Sequence, residues 1–253
     1  MNFKNYKQMK SIFLSLAVFF TINFCFSQEN GIVTYTITHN WVKKYASCDY
    51  LSNAERERHS YVYGNRNVEF VENAELKFNA AESRFDVKKN EDLRRRNSDD
   101  YIIYRDHSEN KTSDVMTLLE NQYVIQDFIN CQNWKIKNDM KEIAGRICMN
   151  ASFYDTIKKK EVIAWFALDL PIPVGPDIYC GLPGMILEIN EADGAVIYTA
   201  TNILFSDEKI EIEKPVITRK QKIINLQEYY KIVTDCLNQY RKMQRPYFFV
   251  IPF

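Results

Sequence analysis

Histidine is scarce in this sequence, and the familiar catalytic motifs are missing. The three histidines are His39, His59 and His107, and the chain contains neither a G-x-S-x-G nor an H-E-x-x-H pattern. Hydrolysis needs a nucleophile with an adjacent base, or a metal ion held by suitably spaced ligands. Because neither constellation is visible, the sequence favours a non-enzymatic role and predicts no cofactor and no metal site.

Only one long apolar run is present, and it lies near the N-terminus. Residues 1–27 combine three lysines with an apolar stretch that is too short to span a bilayer comfortably. This arrangement is typical of a secretory signal peptide, with cleavage predicted after Ser27. Cys25 offers lipidation as an alternative, although the residues before it lack the small side chains of such a site. The mature chain, 28–253, is expected to be exported and to have no transmembrane span.

Charge of one sign is not in excess. The chain has 33 basic and 33 acidic residues, and removal of the predicted signal peptide leaves 30 basic residues against the same 33 acids. This composition does not attract nucleic acid or an anionic membrane by electrostatics. Aromatic residues make up 14% of the chain, enough to build an apolar binding surface. The expected partner is an envelope protein, a peptide or a lipid-like ligand.

The predicted mature chain has an odd number of cysteines, namely Cys48, Cys131, Cys148, Cys180 and Cys236. In an oxidising compartment they predict one or two disulfides and at least one thiol left over. Cys131 and Cys148 are favoured as a pair, because they lie on segments predicted to be neighbouring strands. The alternative is a secreted hydrolase, in which Cys148 is a nucleophile beside one of the histidines, or in which histidines and scattered acids hold a metal.

Short runs of β-branched and aromatic residues dominate the chain. Such runs predict strands at 31–38, 69–72, 75–78, 83–87, 101–104, 114–119, 123–129 and 133–137. Further strands are predicted from Gly145, at 162–167, at 185–189 and at 195–200. Close spacing of short strands favours an antiparallel meander over a parallel sheet. The fold class is therefore predicted as α+β: a β-rich, curved antiparallel sheet with helices on its concave face.

Two segments have helical signatures. Ser52 and Glu55 form a capping-box pattern, which predicts a helix from there to about residue 61. A second helix is predicted after Asn225, with one apolar face made of Leu226, Tyr230, Val233, Leu237 and Tyr240. The aromatic tail that follows is expected to pair as a final strand. The charged segment 90–100 is interpreted as a solvated, self-paired loop.

Glycines and prolines crowd the stretch GPDIYCGLPGMILEIN at 175–190. Pro183 and Gly184 suit the central pair of a type II turn, where proline fixes φ and glycine takes the positive φ that follows. The motif can thus be explained as a corner that leads into a hairpin. The alternative is that its glycines let a ligand approach the backbone. The binding residues predicted on that basis are Gly175, Pro176, Gly181, Leu182, Pro183, Gly184 and Trp165.

Four successive elements resemble the GLPGLI family of secreted Bacteroidota proteins. They are Gly145-Arg146 with Cys148 and Ala151, Trp165-Phe166-Ala167 with Asp169-Leu170-Pro171, Gly175-Pro176, and Gly181-Leu182-Pro183-Gly184-Met185-Ile186. Arg146 and Ala167 depart from the family pattern in character. The resemblance implies an envelope protein of unknown activity. In arrangement the chain also resembles the half-barrel of lipoprotein-carrier proteins, a likeness of architecture that does not imply function.

These observations predict one domain over 28–253, placed in the periplasm, at the outer membrane or outside the cell. Its expected role is a non-enzymatic binding or accessory module.

Overall fold

The computed structural model describes residues 30–64, 69–88 and 101–252. Within these residues, one 12-stranded sheet has the order β12-β6-β5-β4-β3-β2-β1-β11-β10-β9-β8-β7. The strands are β1 (Asn30–Asn40), β2 (Glu69–Phe78), β3 (Glu82–Val87), β4 (Tyr101–Asp106), β5 (Lys111–Leu118), β6 (Asn121–Phe128), β7 (Lys135–Ile143), β8 (Arg146–Asp155), β9 (Lys160–Ala167), β10 (Met185–Glu191), β11 (Val196–Ser206) and β12 (Lys222–Ile224).

The sheet is open, curved and antiparallel, as predicted, apart from the short parallel pairing of β12 with β6. β1 lies in the middle, between β2 and β11, so the two halves of the chain meet on it. Register shifts interrupt the pairing of β1 with β11, β9 with β10 and β7 with β8. Such irregularities bend strands and increase their twist.

Three helices lie among the described residues: α1 (Trp41–Ala46), α2 (Asn53–Gly64) and α3 (Leu226–Lys242). The predicted caps are present, because the Ser52 hydroxyl accepts from the backbone of Glu55, and Asn225 with Glu228 completes a reciprocal capping box. The helix α1 was not predicted from sequence. The apolar face of α3 is rotated from the predicted one: Val233 and Leu237 are buried, but Tyr230 is 38% exposed.

The core has one large apolar cluster and two smaller ones. The main cluster joins the central strands to α1, α3 and the segment around Phe248. A second cluster joins strand residues of β8, β9 and β10 to Tyr179 and Leu182, which lie between β9 and β10. Helices and loops therefore cover the sheet where its apolar side chains require burial.

Two sequence predictions need correction here. The runs at 69–72 and 75–78 form one continuous strand, β2. The aromatic tail does not form a final strand: Tyr247 and Phe248 lie in turns, where both rings are buried in the main cluster. The tail is held against the protein by the burial of these rings and not by strand pairing. The predicted signal peptide and the charged loop at 90–100 fall outside the described residues.

Candidate functional site

The glycine- and proline-rich stretch forms the corner between β9 and β10, and most of it is buried. Gly175, Pro176, Leu182 and Gly184 are buried, whereas Gly181 and Pro183 are exposed. Leu182 inserts its side chain into the second cluster. The corner is therefore packed against the sheet, and only its tip faces solvent. The binding role predicted for these residues stays a prediction.

The two motif glycines differ in backbone conformation. Gly181 has φ +89, but Gly184 is not among the residues with positive φ, so the predicted type II geometry at Gly184 is wrong. Gly184 is required by close approach instead: a Cβ there would lie 2.0 Å from the carbonyl oxygen of Ala167 and 3.3 Å from Cα of Leu168. The corner thus rests directly on the backbone at the end of β9.

A disulfide joins Cys131 to Cys180, and the predicted pairing of Cys131 with Cys148 is wrong. Cys148 pairs in register with Lys141, well inside β7, whereas Cys131 precedes that strand. Cys148 therefore lies opposite a residue ten positions after Cys131, so strand pairing does not bring these two cysteines together. Cys131 instead meets the corner, where Trp134 Nε1 donates to the carbonyl of Cys180 at 2.7 Å. Cys48, Cys148 and Cys236 are free and buried.

Asp177 fastens the corner to the opposite half of the sheet. Its side chain is buried and accepts hydrogen bonds from the Tyr101 hydroxyl at 2.5 Å and the Tyr198 hydroxyl at 2.9 Å. Burial raises the pKa of the Asp177 carboxyl, and the two tyrosine donors oppose that rise. Its φ of 55 lies in the left-handed region, which aspartate tolerates better than most residues. Since Tyr101 lies on β4 and Tyr198 on β11, the carboxylate links distant strands.

A second buried acid lies beside this link. Asp114 accepts from the Thr112 hydroxyl at 2.6 Å and from the backbone of Tyr104 at 3.2 Å. Burial raises the pKa of Asp114 from 3.8 to about 6, against the opposing charge of Arg105. Arg105 is also buried, and burial lowers its pKa. The protonation of these buried groups, and with it the stability of the fold, therefore depends on pH.

The raised pKa of Asp114 predicts a pH-dependent cost to stability. As pH rises from about 3 to about 7, Asp114 ionises earlier in the unfolded chain than in the folded one, so folding loses about 3 kcal/mol from this group. The free energy of unfolding of wild type should therefore fall by that amount relative to Asp114→Asn. Urea denaturation across the pH range measures the difference, with exposed Asp207→Asn as the control. A constant gap between wild type and Asp114→Asn would contradict the assignment.

A buried ion pair lies next to the corner. Lys160 and Glu191 form a close salt bridge, and the Tyr179 hydroxyl donates to Glu191 at 2.6 Å. Burial lowers the pKa of Lys160, whereas the charge of Lys160 holds the pKa of Glu191 below its usual value against the effect of burial. Because Tyr179 belongs to the corner, this pair gives it a third attachment besides Asp177 and the disulfide.

Beside the corner lies an exposed apolar surface, which we call the rim patch. It consists of Ile136 (50% exposed), Met140 (67%), Ile147 (62%) and Leu168 (51%). Ile136 and Met140 pair with Ala151 and Met149, so they share the face of the second cluster. Glu142 is exposed and pairs in register with Ile147, so it borders the patch on the same face. Lys141 and Arg146 alternate with the patch residues along their strands and lie on the opposite face, where Lys141 pairs with Glu188 at 2.6 Å and Arg146 with Asp169 at 2.7 Å. The patch is therefore apolar at its centre, with an acidic residue at its border.

A small cavity lies elsewhere, at the junction of β1 and α1. Its volume is about 50 Å³, and its lining includes His39, Lys44, Glu72, Tyr101 and Tyr198. The His39 ring lies 2.9 Å from Glu72 Oε2 through Nε2 and 2.8 Å from Lys44 Nζ through Nδ1. Only His39 was a candidate from sequence. Lys44 and Glu72 had no motif, since β2 reaches β1 through long-range pairing.

The residues predicted for a hydrolase do not assemble. The Cys148 thiol donates to the carbonyl of Arg146 at 3.6 Å, and burial raises its pKa to about 11, so it is protonated near neutral pH. His107 contacts the Ser83 hydroxyl, and His59 stacks on Tyr45. Among the described residues, no group of three or more His, Cys, Asp or Glu side chains is placed to hold a metal ion.

Trp165, the remaining predicted binding residue, is only partly buried. Lys141 Nζ lies 4.4 Å from its ring centroid, next to the ion pair with Glu188. It packs against the main cluster.

Comparison with known proteins supports the fold and leaves the activity open. The family model described as "Protein of unknown function (Porph_ging)" matches residues 152–188, which run from β8 through the corner into β10. Two crystal structures of PNGF-II, in space groups C2 and P21, are similar, with TM-scores of 0.54 and 0.51 at 12% and 13% identity. No curated protein matched in sequence.

The PNGF-II matches cover 81% of this chain but only 32% and 33% of those chains. This chain therefore spans about a third of the length of PNGF-II. Identity this low shows a shared β-rich fold and carries no activity across. The chain is thus a curved β-sheet protein with a match to a family of unknown function.

Proposed function

We propose that this chain is an exported envelope protein whose role is to bind a partner protein through the rim patch. The observation that carries the proposal is that four large apolar side chains on one face of β7, β8 and the residue after β9 are each at least half exposed. Soluble proteins seldom expose such groupings without a binding role. An apolar centre inside a polar border is also the usual anatomy of a protein interface.

The corner motif lies on the same face of the sheet as this surface, because Leu182 packs into the second cluster, and Gly184 lies against Leu168. A partner with an apolar segment fits the centre of the patch, and the exposed Glu142 at its border disfavours an acidic ligand. Gly181 and Pro183, the exposed tip of the corner, form the part of the predicted binding motif that a partner would touch.

Binding is favoured over catalysis because the predicted nucleophile is protonated and distant from the predicted bases. Burial raises the pKa of the Cys148 thiol to about 11, and a thiolate is the reactive form.

Export is supported by the signal-peptide pattern, by the disulfide between Cys131 and Cys180 and by the resemblance to the GLPGLI family. Among the described residues, no helix is long and apolar enough to cross a membrane.

The test is a comparison of matched surface variants. Met140→Asp with Ile147→Asp places two charges in the rim patch, whereas Phe128→Asp with Ile223→Asp places two charges at the other end of the sheet, where those residues are 64% and 58% exposed. Each immobilised protein is incubated with solubilised envelope from cells that produce it, and captured proteins are quantified by mass spectrometry.

We expect the rim variant to retain its melting temperature and to lose partner capture about tenfold or more, because interface centres dominate affinity. The control variant should capture as wild type does. Equal capture by both variants would refute the proposal. Capture of a lipid-like ligand alone, or robust hydrolysis by wild type, would replace it with one of the alternatives.

A further inference from the structure

The cavity at the start of α1 contains a lysine, a histidine and a glutamate in a chain of contacts. Lys44 is only 4% exposed, and its Nζ lies 2.8 Å from His39 Nδ1. His39 Nε2 in turn lies 2.9 Å from Glu72 Oε2. A nucleophile beside a base, with the base oriented by a third group, is the arrangement that activates nucleophiles in enzymes.

Local structure explains why these side chains meet. Asn40 caps α1 by accepting from the backbone of Lys43. His39 therefore precedes the cap and Lys44 is the fourth helical residue, two positions whose side chains normally meet at a helix start. Glu72 pairs in register with Ile37, two residues before His39 along β1, and so lies diagonally across from it.

The hydrogen-bonding groups of Lys44, His39 and Glu72 determine which atom donates in each contact. A lysine ammonium has only donors, so Lys44 donates to Nδ1 of His39. With Nδ1 accepting, the neutral His39 ring has its hydrogen on Nε2 and donates it to Glu72. His39 is thus poised to take a proton from Lys44, and the resulting imidazolium is stabilised by Glu72.

We propose that Lys44 is a nucleophilic amine that forms an imine with small carbonyl compounds. His39 Nδ1 takes a proton from the ammonium, and the amine lone pair then forms a bond to the carbonyl carbon. The carbonyl oxygen takes a proton from the attacking nitrogen to give a neutral carbinolamine. The proton held on His39 is then transferred to that oxygen, which leaves as water, and the product is the protonated imine with His39 neutral again. The step involves no oxidant or reductant.

The cavity limits the size and polarity of the substrate. Its volume of about 50 Å³ holds only a few non-hydrogen atoms. Phe85, Val87 and Phe248 supply apolar walls, and the Lys44 Nζ lies 4.9 Å from the Trp41 ring centroid. Small, uncharged aldehydes of two or three carbons fit these walls. This activity is separate from partner binding at the rim patch, and either can fail without the other.

Reductive trapping with acetaldehyde and sodium cyanoborohydride near neutral pH tests the proposal, because an imine is converted into a stable ethyl group on the lysine. The neighbouring Lys43 is exposed and serves as an internal control in the same peptide. Peptide mass spectrometry over time gives both rates. We expect ethylation at Lys44 to be at least about tenfold faster than at Lys43, since a positioned base usually contributes about a hundredfold or more and burial slows entry.

His39→Gln and Glu72→Gln should each reduce ethylation at Lys44 by at least about tenfold and leave that at Lys43 unchanged. Melting curves establish that each variant is folded. If His39→Gln does not fold, Glu72→Gln and the pH profile of wild type provide the test. The ratio of the ethylation rate at Lys44 to that at Lys43 should decrease as pH rises, because ordinary lysines become free amines. A Lys44 rate equal to or below that of Lys43 in wild type would overturn the proposal and leave a purely structural ion network.

Discussion

Replacement of Gly184 by alanine should lower the free energy of unfolding by about 3 kcal/mol or more, the upper range for overpacking. The new Cβ would lie 2.0 Å from the carbonyl oxygen of Ala167, and backbone cannot move aside as a flexible side chain does. Urea denaturation followed by circular dichroism measures the loss.

Gly145→Ala is the matched control, because that position also has a special backbone but open space. Its φ is +74 and nothing lies within 4 Å of the added Cβ. Only the backbone strain of a left-handed alanine remains, about 1 kcal/mol. Equal losses at the two positions would contradict the close approach of the corner to β9.

Removal of the disulfide should be comparably costly. The bond closes a loop with a sequence separation of 49 residues. Constraint of the unfolded chain by a loop of this length stabilises folding by about 4 kcal/mol. The double variant Cys131→Ala with Cys180→Ala should lose that amount in urea denaturation under oxidising conditions.

Wild type treated with a reductant should unfold like the double variant, which should itself be insensitive to the reductant. Thiol titration of the oxidised, denatured mature protein should find three reactive cysteines, Cys48, Cys148 and Cys236. Protection of Cys148 in that titration would contradict the pairing.

The strands were predicted well because the alternation of buried and exposed side chains depends only on neighbouring positions in the sequence. The alternating residues of β1 place Val33, Tyr35 and Ile37 in the core, and this period depends only on strand geometry. The helix cap at Asn225 was also predictable from the sequence, because its partner Glu228 lies only three residues away. The short helix α1 was missed because it has only six residues and follows a strand directly.

The candidate sites were less predictable because their contacts cross the sheet. β7, β8 and β9 separate Cys131 from Cys180 in the sequence, so no local pattern indicates that the two cysteines meet. Glu72 meets His39 through strand register, which no local pattern specifies. Pro183 and Gly184 were correctly placed at a corner, but turn chemistry could not reveal that Gly184 is needed for contact with Ala167.

The rim patch also escaped sequence analysis. Ile147 and Met140 look like ordinary strand residues, and only the structure leaves them 62% and 67% exposed beside the corner. An apolar side chain in an alternating strand is normally assigned to the core. These side chains are exposed because β7 is the last strand at this end of the sheet and no further described strand lies beside it.

Photocrosslinking in living cells tests the central claim most directly. A photoreactive phenylalanine is placed at Met140 in one variant and at Phe128, on the opposite end of the sheet, in another. The rim patch account predicts a discrete crosslinked partner protein from position 140, lost when Ile147→Asp is added, and none from position 128. No crosslink from position 140, or the same products from both positions, would contradict it.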